Sequence, residues 1–223
     1  MSKKNILCLL AHQDDEYFVA PFLIREQKDG NVVTCVYITD GSGYGINPEI
    51  RNRESLSALS SIGIKKRNII FLGGDLRFRD SEISSRCQDV LDVLHDYFRS
   101  SSFDKIYCPA WEGGHIDHDA VHLIALAFAK TQESTIATWE FSLYHAYRMP
   151  RGLFRVMSLL KSSTKRNTEK VSFLTAVKWA FLFKHYRSQW KTWLGLFPEA
   201  ITKIILLRSA HIQAASVSRI FNR

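Results

Sequence analysis

Residues 5–16 read Asn-Ile-Leu-Cys-Leu-Leu-Ala-His-Gln-Asp-Asp-Glu. The first half, Asn5–Leu10, is a short uncharged apolar run, typical of a strand that is buried on both faces. The second half places one histidine and three acids at the end of that strand. Charged side chains are rarely buried without a partner, so packing alone does not explain them. We predict a divalent metal ion as the partner, because imidazole and carboxylate groups are good zinc ligands.

A second cluster of the same kind lies later in the chain. It reads His115-Ile-Asp117-His118 and follows another short apolar run, Lys105–Cys108. Two such clusters, each placed after a strand-like run, indicate one metal site that is split between two segments.

Strand-like and helix-like segments alternate through the first 140 residues. Continuous apolar strands separated by helices indicate a mostly parallel sheet covered on both faces, a three-layer, Rossmann-like α/β fold. Ligands bind such sheets at the carboxyl ends of the strands, where both clusters fall. The predicted strands are Asn5–Leu10, Val32–Ile38, Asn68–Leu72, Lys105–Cys108 and Thr135–Phe141, and the predicted helices are Glu16–Lys28, Arg51–Ile62, Glu82–Phe98 and His118–Ala129.

The composition changes near residue 150. Residues 151–223 hold 14 basic and 2 acidic residues, a net charge of +12, whereas residues 1–150 have a net charge of −4. We predict a core at residues 1–149 and a basic, aromatic-rich helical extension at residues 150–223 that packs on or caps it, with a strand only around Ile204–Leu207. A basic face attracts anionic lipid, phosphorylated substrates or nucleic acid. No motif supports nucleic acid, and we expect none to bind.

The bulk composition favours one globular protein of 223 residues with 46% hydrophobic residues. Its four cysteines are widely spaced and form no Cys-x-x-Cys pair, so we expect buried free thiols in a reducing compartment. We see no apolar run long enough for a signal peptide or a membrane span. The expected location is the cytoplasm, with peripheral contact at the inner membrane face left open by the basic extension.

The two clusters resemble the motifs of a known family. The run from Ala11 to Glu16 resembles the Ala-His-Pro-Asp-Asp-Glu motif of the PIG-L/LmbE-like zinc de-N-acetylases (GlcNAc-phosphatidylinositol de-N-acetylase-like), with Gln13 in place of proline. Residues 114–118 resemble that family's His-x-Asp-His motif. The resemblance spans roughly residues 5–145 in order, which chance matches to one short motif do not give. It implies a metal-dependent carbon–nitrogen amide hydrolase that removes the N-acetyl group from an N-acetylglucosamine-type amino sugar conjugate.

The resemblance also implies a metal site. Zinc would be bound by His12, Asp15 and His118, three protein ligands that leave one position for water, as in catalytic zinc sites. The spacing agrees, because His12 and Asp15 lie three residues apart across a tight turn. Two histidines and one aspartate can also take Fe²⁺ or Co²⁺.

Further residues receive roles from the same resemblance. Asp14 would be the general base for the attacking water. His115 would face the developing oxyanion or protonate the departing amine, and Asp117 would orient His115 and favour its protonated form. Arg51 and Glu54 would bind the substrate, although an ordinary ion pair on a helix surface explains these two equally well.

Two alternatives stay open at this point. One is an amidase of the same family that acts on a sugar–thiol conjugate. The other is a non-catalytic protein that binds membranes or nucleic acid through the basic extension. The expected partner of the enzyme is an N-acetylated amino-sugar conjugate, with a nucleotide- or lipid-linked aglycone compatible with the sequence.

Overall fold

The computed structural model describes residues 2–132, 135–150, 153–161 and 163–216. Its strands are β1 (Asn5–Leu10), β2 (Val32–Tyr37), β3 (Ile69–Phe71), β4 (Lys105–Pro109), β5 (Ala137–Phe141), β6 (Tyr144–His145), β7 (Arg155–Val156), β8 (Arg166–Lys170) and β9 (Ser209–Ala214). Its α-helices are α1 (Glu16–Lys28), α2 (Pro48–Ser61), α3 (Leu72–Leu76), α4 (Cys87–Tyr97), α5 (Ile116–Thr131), α6 (Phe173–Phe181) and α7 (Trp190–Thr202).

One large sheet organises the described residues. Its strand order is β3-β2-β1-β4-β5-β9-β8, and a separate small hairpin joins β6 to β7. Neighbours among β1 to β5 are parallel, whereas β9 runs antiparallel to both β5 and β8. This mostly parallel sheet with helices on its faces confirms the predicted α/β, Rossmann-like fold.

The strand order places the two clusters side by side. The chain moves from β1 outward to β2 and β3, then returns to pair β4 with the other side of β1. Such a reversal opens a crevice between the carboxyl ends of the two central strands. Because β1 and β4 are parallel, with Cys8 opposite Tyr107, the segments after Leu10 and Pro109 leave the sheet at the same edge.

Strand β1 is buried on both faces, as its continuous apolar sequence predicts. Its alternate side chains enter two separate hydrophobic clusters, with Ile6 on one face and Leu7 on the other. The first cluster collects residues of α1, α6 and α7, and the second collects residues of α4 and α5. The buried indole of Trp179 in α6 donates to the carbonyl of Tyr17 in α1 at 2.7 Å, which fixes α6 against that face.

The region after residue 150 corrects one expectation. The predicted strand around Ile204–Leu207 is wrong, because Lys203–Leu207 forms a π-helical turn. The strands of the described part of this region are β7, β8 and β9, and the last two extend the core sheet beyond β5. Residues 217–223 of the predicted basic extension lie outside the described residues. None of the helices in the described part of the chain is long and apolar enough to cross a membrane.

Candidate active site

The turn after β1 is held by the side chain of Asp15. Its Oδ2 accepts hydrogen bonds from the backbone N–H groups of Ala11 and His12, each at 2.9 Å. Asp14 adopts a positive φ of 132°, a backbone conformation that L-residues rarely adopt, and its N–H donates to Oε2 of Glu16 at 2.9 Å. The buried glutamate therefore stabilises the turn that aims the first cluster.

Three ligand-type atoms converge between the two clusters. Nδ1 of His12 lies 3.2 Å from Nε2 of His118, which in turn lies 3.1 Å from Oδ1 of Asp15. All three side chains are buried. The carboxylate has a pKa below its ordinary value, because the neighbouring histidines outweigh the opposing effect of burial.

This spacing fits a divalent metal ion. Ligands about 2.1 Å from a tetrahedral ion are separated from one another by roughly 3.4 Å, close to the distances between these atoms. The candidate ligands are one atom each from His12, Asp15 and His118. Two imidazoles and one carboxylate are also a donor set that zinc favours.

The carboxylate of Asp117 lies closer to His12 than to His115, the residue that it was expected to orient. Its Oδ2 lies 3.0 Å from Nε2 of His12 but 3.8 Å from Nδ1 of His115. The same oxygen accepts the backbone N–H of Ser81 at 2.6 Å. A carboxylate on Nε2 favours the tautomer of His12 with its proton on that nitrogen, which leaves Nδ1 as a lone pair facing His118.

His115 caps the helix that carries the second cluster. Its Nδ1 accepts the N–H of Asp117 at 3.2 Å, so the proton of the neutral ring resides on Nε2. Burial, together with the neighbouring His12 and His118, lowers the pKa of His115 to about 4. Asp117 itself favours the protonated form of His115, but burial and the two neighbouring histidines outweigh its effect, so the neutral ring predominates at pH 7.

Asp14 lies beside a second group of charges. Its carboxylate is 3.5 Å from the guanidinium of Arg51, which also lies 3.4 Å from Asp80. Burial raises the pKa of Asp14 well above its ordinary value, against the opposing effect of Arg51. Asp14 lines the same pocket as the three candidate ligands.

The two residues expected to bind substrate have different surroundings. The buried Arg51 lines the pocket, and it also donates to the carbonyls of Gly41 at 3.0 Å and Gln13 at 2.9 Å. Glu54 lies outside the pocket lining, and its carboxylate accepts the N–H and hydroxyl of Ser188 at 2.8 and 2.6 Å. Glu54 thus fastens α2 to the segment before α7, and its contact with substrate stays a prediction.

Gln13, which replaces the family's proline, forms hydrogen bonds through both its backbone and its side chain. Its backbone carbonyl accepts from both Arg51 and Gln189, and its side chain donates to Asn52 at 2.7 Å. These hydrogen bonds hold the turn in place, whereas a proline would stiffen it through its rigid ring.

Several residues of the pocket were not predicted from the sequence. They come from α1, β6, α7 and three loops, and none lies in either of the two motifs. Gln189 Oε1 accepts from Arg51 at 2.8 Å. A small cavity of about 100 Å³ results, whose further lining residues are Phe18, Ile46, Asp80, Tyr144, Gln189, Thr192 and Leu196.

The sequence profile of the family described as GlcNAc-PI de-N-acetylase matches residues 7–129, more than half of the chain and both clusters. This chain belongs to the PIG-L family. No curated protein matches its sequence. Residues His12, Asp14, Asp15, Asp117 and His118 all fall within the PIG-L match.

Solved structures share the fold of this PIG-L chain at low sequence identity. A deacetylase from the biosynthesis pathway of teicoplanin is 14% identical with a TM-score of 0.71, over 94% of this chain and 96% of that chain. The N,N'-diacetylchitobiose deacetylase of Pyrococcus horikoshii is 17% identical with a TM-score of 0.56, over 86% and 74%. The 4-carboxy-2-hydroxymuconate hydratase of Pseudomonas putida is 15% identical with a TM-score of 0.60, over 92% and 85%. Because a hydratase shares this fold, the fold alone does not identify the reaction, which depends on the residues of the site.

Proposed function

We propose that this protein is a divalent-metal-dependent hydrolase that removes the N-acetyl group from an N-acetylglucosamine-type amino sugar conjugate. The observation that carries the proposal is the convergence of His12, Asp15 and His118 beside Asp14 in one pocket. Membership of a de-N-acetylase family and the deacetylases among the structural neighbours support the same reaction class. The conjugate would carry a nucleotide- or lipid-linked aglycone.

His12, Asp15 and His118 would hold the metal ion, with zinc as the first choice and Fe²⁺ or Co²⁺ as alternatives. When bound, the ion supplies Lewis-acid chemistry that polarises the amide carbonyl and activates water. Asp117 holds the ring of His12 through Nε2, so the free nitrogen points toward the other ligands.

Asp14 acts as the general base. Its carboxylate lies in the pocket next to the proposed ligands and accepts the proton of the attacking water. Arg51, 3.5 Å away, keeps this carboxylate in place and balances its charge. Asp14 then passes this proton to the departing nitrogen as the amide C–N bond breaks, which yields acetate and the free amine.

His115 stabilises the negative charge that develops on the carbonyl oxygen. Because its Nδ1 accepts the N–H of Asp117, its Nε2–H is left as the donor. A neutral imidazole donor suits a site that already holds a cation, since a second positive charge there would be repelled. Of the two roles considered for His115, this geometry favours the oxyanion donor over the acid.

The proposal is tested by metal analysis and by acetate release from N-acetylglucosamine conjugates. We expect one divalent ion per chain, lost in His118→Ala and kept in Asp14→Asn. Asp14→Asn should lower kcat by roughly 10²–10⁴-fold, the usual contribution of a general base. His95→Gln, a change at a half-buried histidine outside the pocket, is the matched control. Full activity of Asp14→Asn would refute the base assignment, and a chain that binds no metal would refute the whole proposal.

A further inference from the structure

An exposed groove of about 570 Å³ lies along α7 and the segment before it. We name it the basic–aromatic groove. It combines large apolar side chains with cationic ones, and it shares no lining residue with the candidate active site. The residues used to define it are Phe183, Lys184, Arg187, Trp190, Leu194 and Phe197.

The apolar side chains of this groove are unusually open to solvent. Trp190 is 57% exposed and Leu194 is 68% exposed. Phe181, also 56% exposed, stacks on Phe183 at 6.5 Å and continues the apolar surface toward α6. Contiguous exposed apolar surface of this kind marks a site of interaction.

The charges around the groove have one sign. Lys184 and Arg187 line it, and Nζ of Lys191 lies 5.8 Å from the ring centre of Trp190. Residues 173–208 contain six basic residues and one acid. That acid, Glu199, pairs with Lys203, just after α7, rather than with the groove.

The most exposed residues of the groove and two residues of the active site lie on opposite sides of α7. Trp190 and Leu194 line the groove, whereas Thr192 and Leu196 line the catalytic pocket. Residues two apart on an α-helix point roughly 200° from each other, so the two pairs occupy opposite faces. A partner in the groove would therefore leave the pocket uncovered.

We infer that the basic–aromatic groove docks on the surface of an anionic lipid bilayer. Aromatic and leucine side chains enter the boundary between headgroups and acyl chains, while lysine and arginine reach the anionic headgroups. A second copy of the chain would bring two cationic surfaces together, which charge repulsion disfavours. Nucleic acid would pair with the lysine and arginine side chains but would leave Leu194 and Phe181 exposed to water. The inference does not depend on the proposed reaction.

The test is sedimentation with vesicles of phosphatidylcholine alone and of phosphatidylcholine mixed with phosphatidylglycerol. We expect binding to the mixed vesicles that weakens with added salt. Lys184→Gln and Lys191→Gln should each weaken it about fivefold. Trp190→Ser combined with Leu194→Ser should weaken it about tenfold or more. Brominated lipid should quench tryptophan fluorescence in the natural chain and less in Trp190→Phe.

Matched controls carry the same kinds of change on other exposed positions, namely Tyr97→Ser for the apolar loss and Lys66→Gln for the charge. Both should bind as the natural chain does. All variants change exposed side chains, and thermal unfolding checks that they fold. The inference is overturned if the groove variants bind mixed vesicles as tightly as the controls, if no vesicle is bound, or if the groove mediates only dimerisation or nucleic-acid binding.

Discussion

At the scale of single residues, one contact organises the candidate active site. Asp117 Oδ2 lies 3.0 Å from Nε2 of His12, and the backbone N–H of Ser81 holds the same oxygen. Burial would lower the pKa of His12, but the hydrogen bond with Asp117, together with the charges of Asp15 and Asp80, outweighs that effect and raises the pKa. The carboxylate thus sets both the tautomer and the orientation of the ring.

Replacing Asp117 with asparagine should therefore weaken metal binding. An amide is a poorer acceptor than a carboxylate, so His12 loses its fixed tautomer while the three proposed ligands remain. We expect metal affinity to fall about 10–100-fold. Competition against a coloured chelator measures this change, with the exposed Asp96→Asn as control. Equal affinity in Asp117→Asn and the control would exclude the supporting role.

The position of these residues was easier to predict from sequence than their contacts. His12 and His115 follow neighbouring strands, so strand order alone brings them together. The partner of Asp117 depends on its rotamer and on a residue 105 positions away in sequence. Spacing favours the nearby His115, but helix geometry turns the carboxylate toward His12. Asp80 was missed for the same reason, because it lies in a loop without any motif.

At the scale of elements, the junction of β3 and α3 shows how tightly the sheet edge is packed. A Cβ atom added at Gly73 would lie 1.9 Å from the backbone carbon of Thr39 and 2.2 Å from the backbone nitrogen of Asp40. Both are main-chain atoms of the segment after β2, which cannot move aside as a flexible side chain would. Gly73 thereby sets how closely α3 approaches that segment.

Gly73→Ala should destabilise the protein by roughly 2–3 kcal/mol, since overpacking a close backbone contact costs this much. The neighbouring Gly74 is the matched control, because a Cβ there has no atom within 4 Å. Gly74→Ala should be neutral or slightly stabilising. Urea unfolding of the two variants gives the comparison. Similar free energies of unfolding for both would contradict the packing argument.

Some elements could be predicted from the sequence and others could not. The predicted bounds of β1 and α1 are confirmed, because an apolar run and a helix-start acid mark them clearly. Strand β8 was missed because Arg166–Lys170 is polar throughout and lies at the sheet edge, where its alternate residues remain exposed. Helix α4 begins at Cys87, whereas the prediction began at Glu82, because a short 3₁₀ turn, Ile83–Ser85, precedes it.

Arg51 joins three elements around the pocket. Its guanidinium binds the carbonyl of Gln13 after β1 and the side chain of Gln189 before α7. Arg51→Lys keeps the charge but lacks the planar fork, so buried acceptors are left unpaired. We expect a loss of about 2–3 kcal/mol in the free energy of unfolding. Chemical denaturation measures it, with the exposed Arg53→Lys as control. A loss no larger than that of Arg53→Lys would exclude this joining role.

At the scale of the whole molecule, the C-terminal third completes both the sheet and the pocket. β9 pairs with β5, and α7 contributes Thr192 and Leu196 to the cavity. The basic residues that the structure describes in this region therefore lie on a part of the fold that also shapes the site. The basic–aromatic groove and the candidate active site share α7. A substitution in the groove should therefore also be assayed for activity, and a substitution in the pocket for vesicle binding.

A buried ionic cluster on the amino-end side of the sheet links α1 to β4. Glu26 is 1% exposed and accepts hydrogen bonds from Lys105, Tyr107 and Asn31. Burial alone would raise the pKa of Glu26, but these donors outweigh it, so the pKa lies below its ordinary value of 4.5. A carboxylate with a lowered pKa in the folded state stabilises the protein at all pH values above that ordinary value.

This stabilisation should disappear in acid. As the pH falls from about 4.5 through the lowered pKa, the folded state must also take up the proton, and the contribution of the carboxylate is lost. Glu26→Gln should cost about 2 kcal/mol at pH 7, the usual size of hydrogen bonds to a charged group. The gap between the natural chain and this variant should shrink as the pH falls below 4.5. Urea unfolding across pH measures the gap, with the exposed Glu82→Gln as control. A gap that stays constant with pH would mean that packing at Glu26, rather than its charge, stabilises the junction.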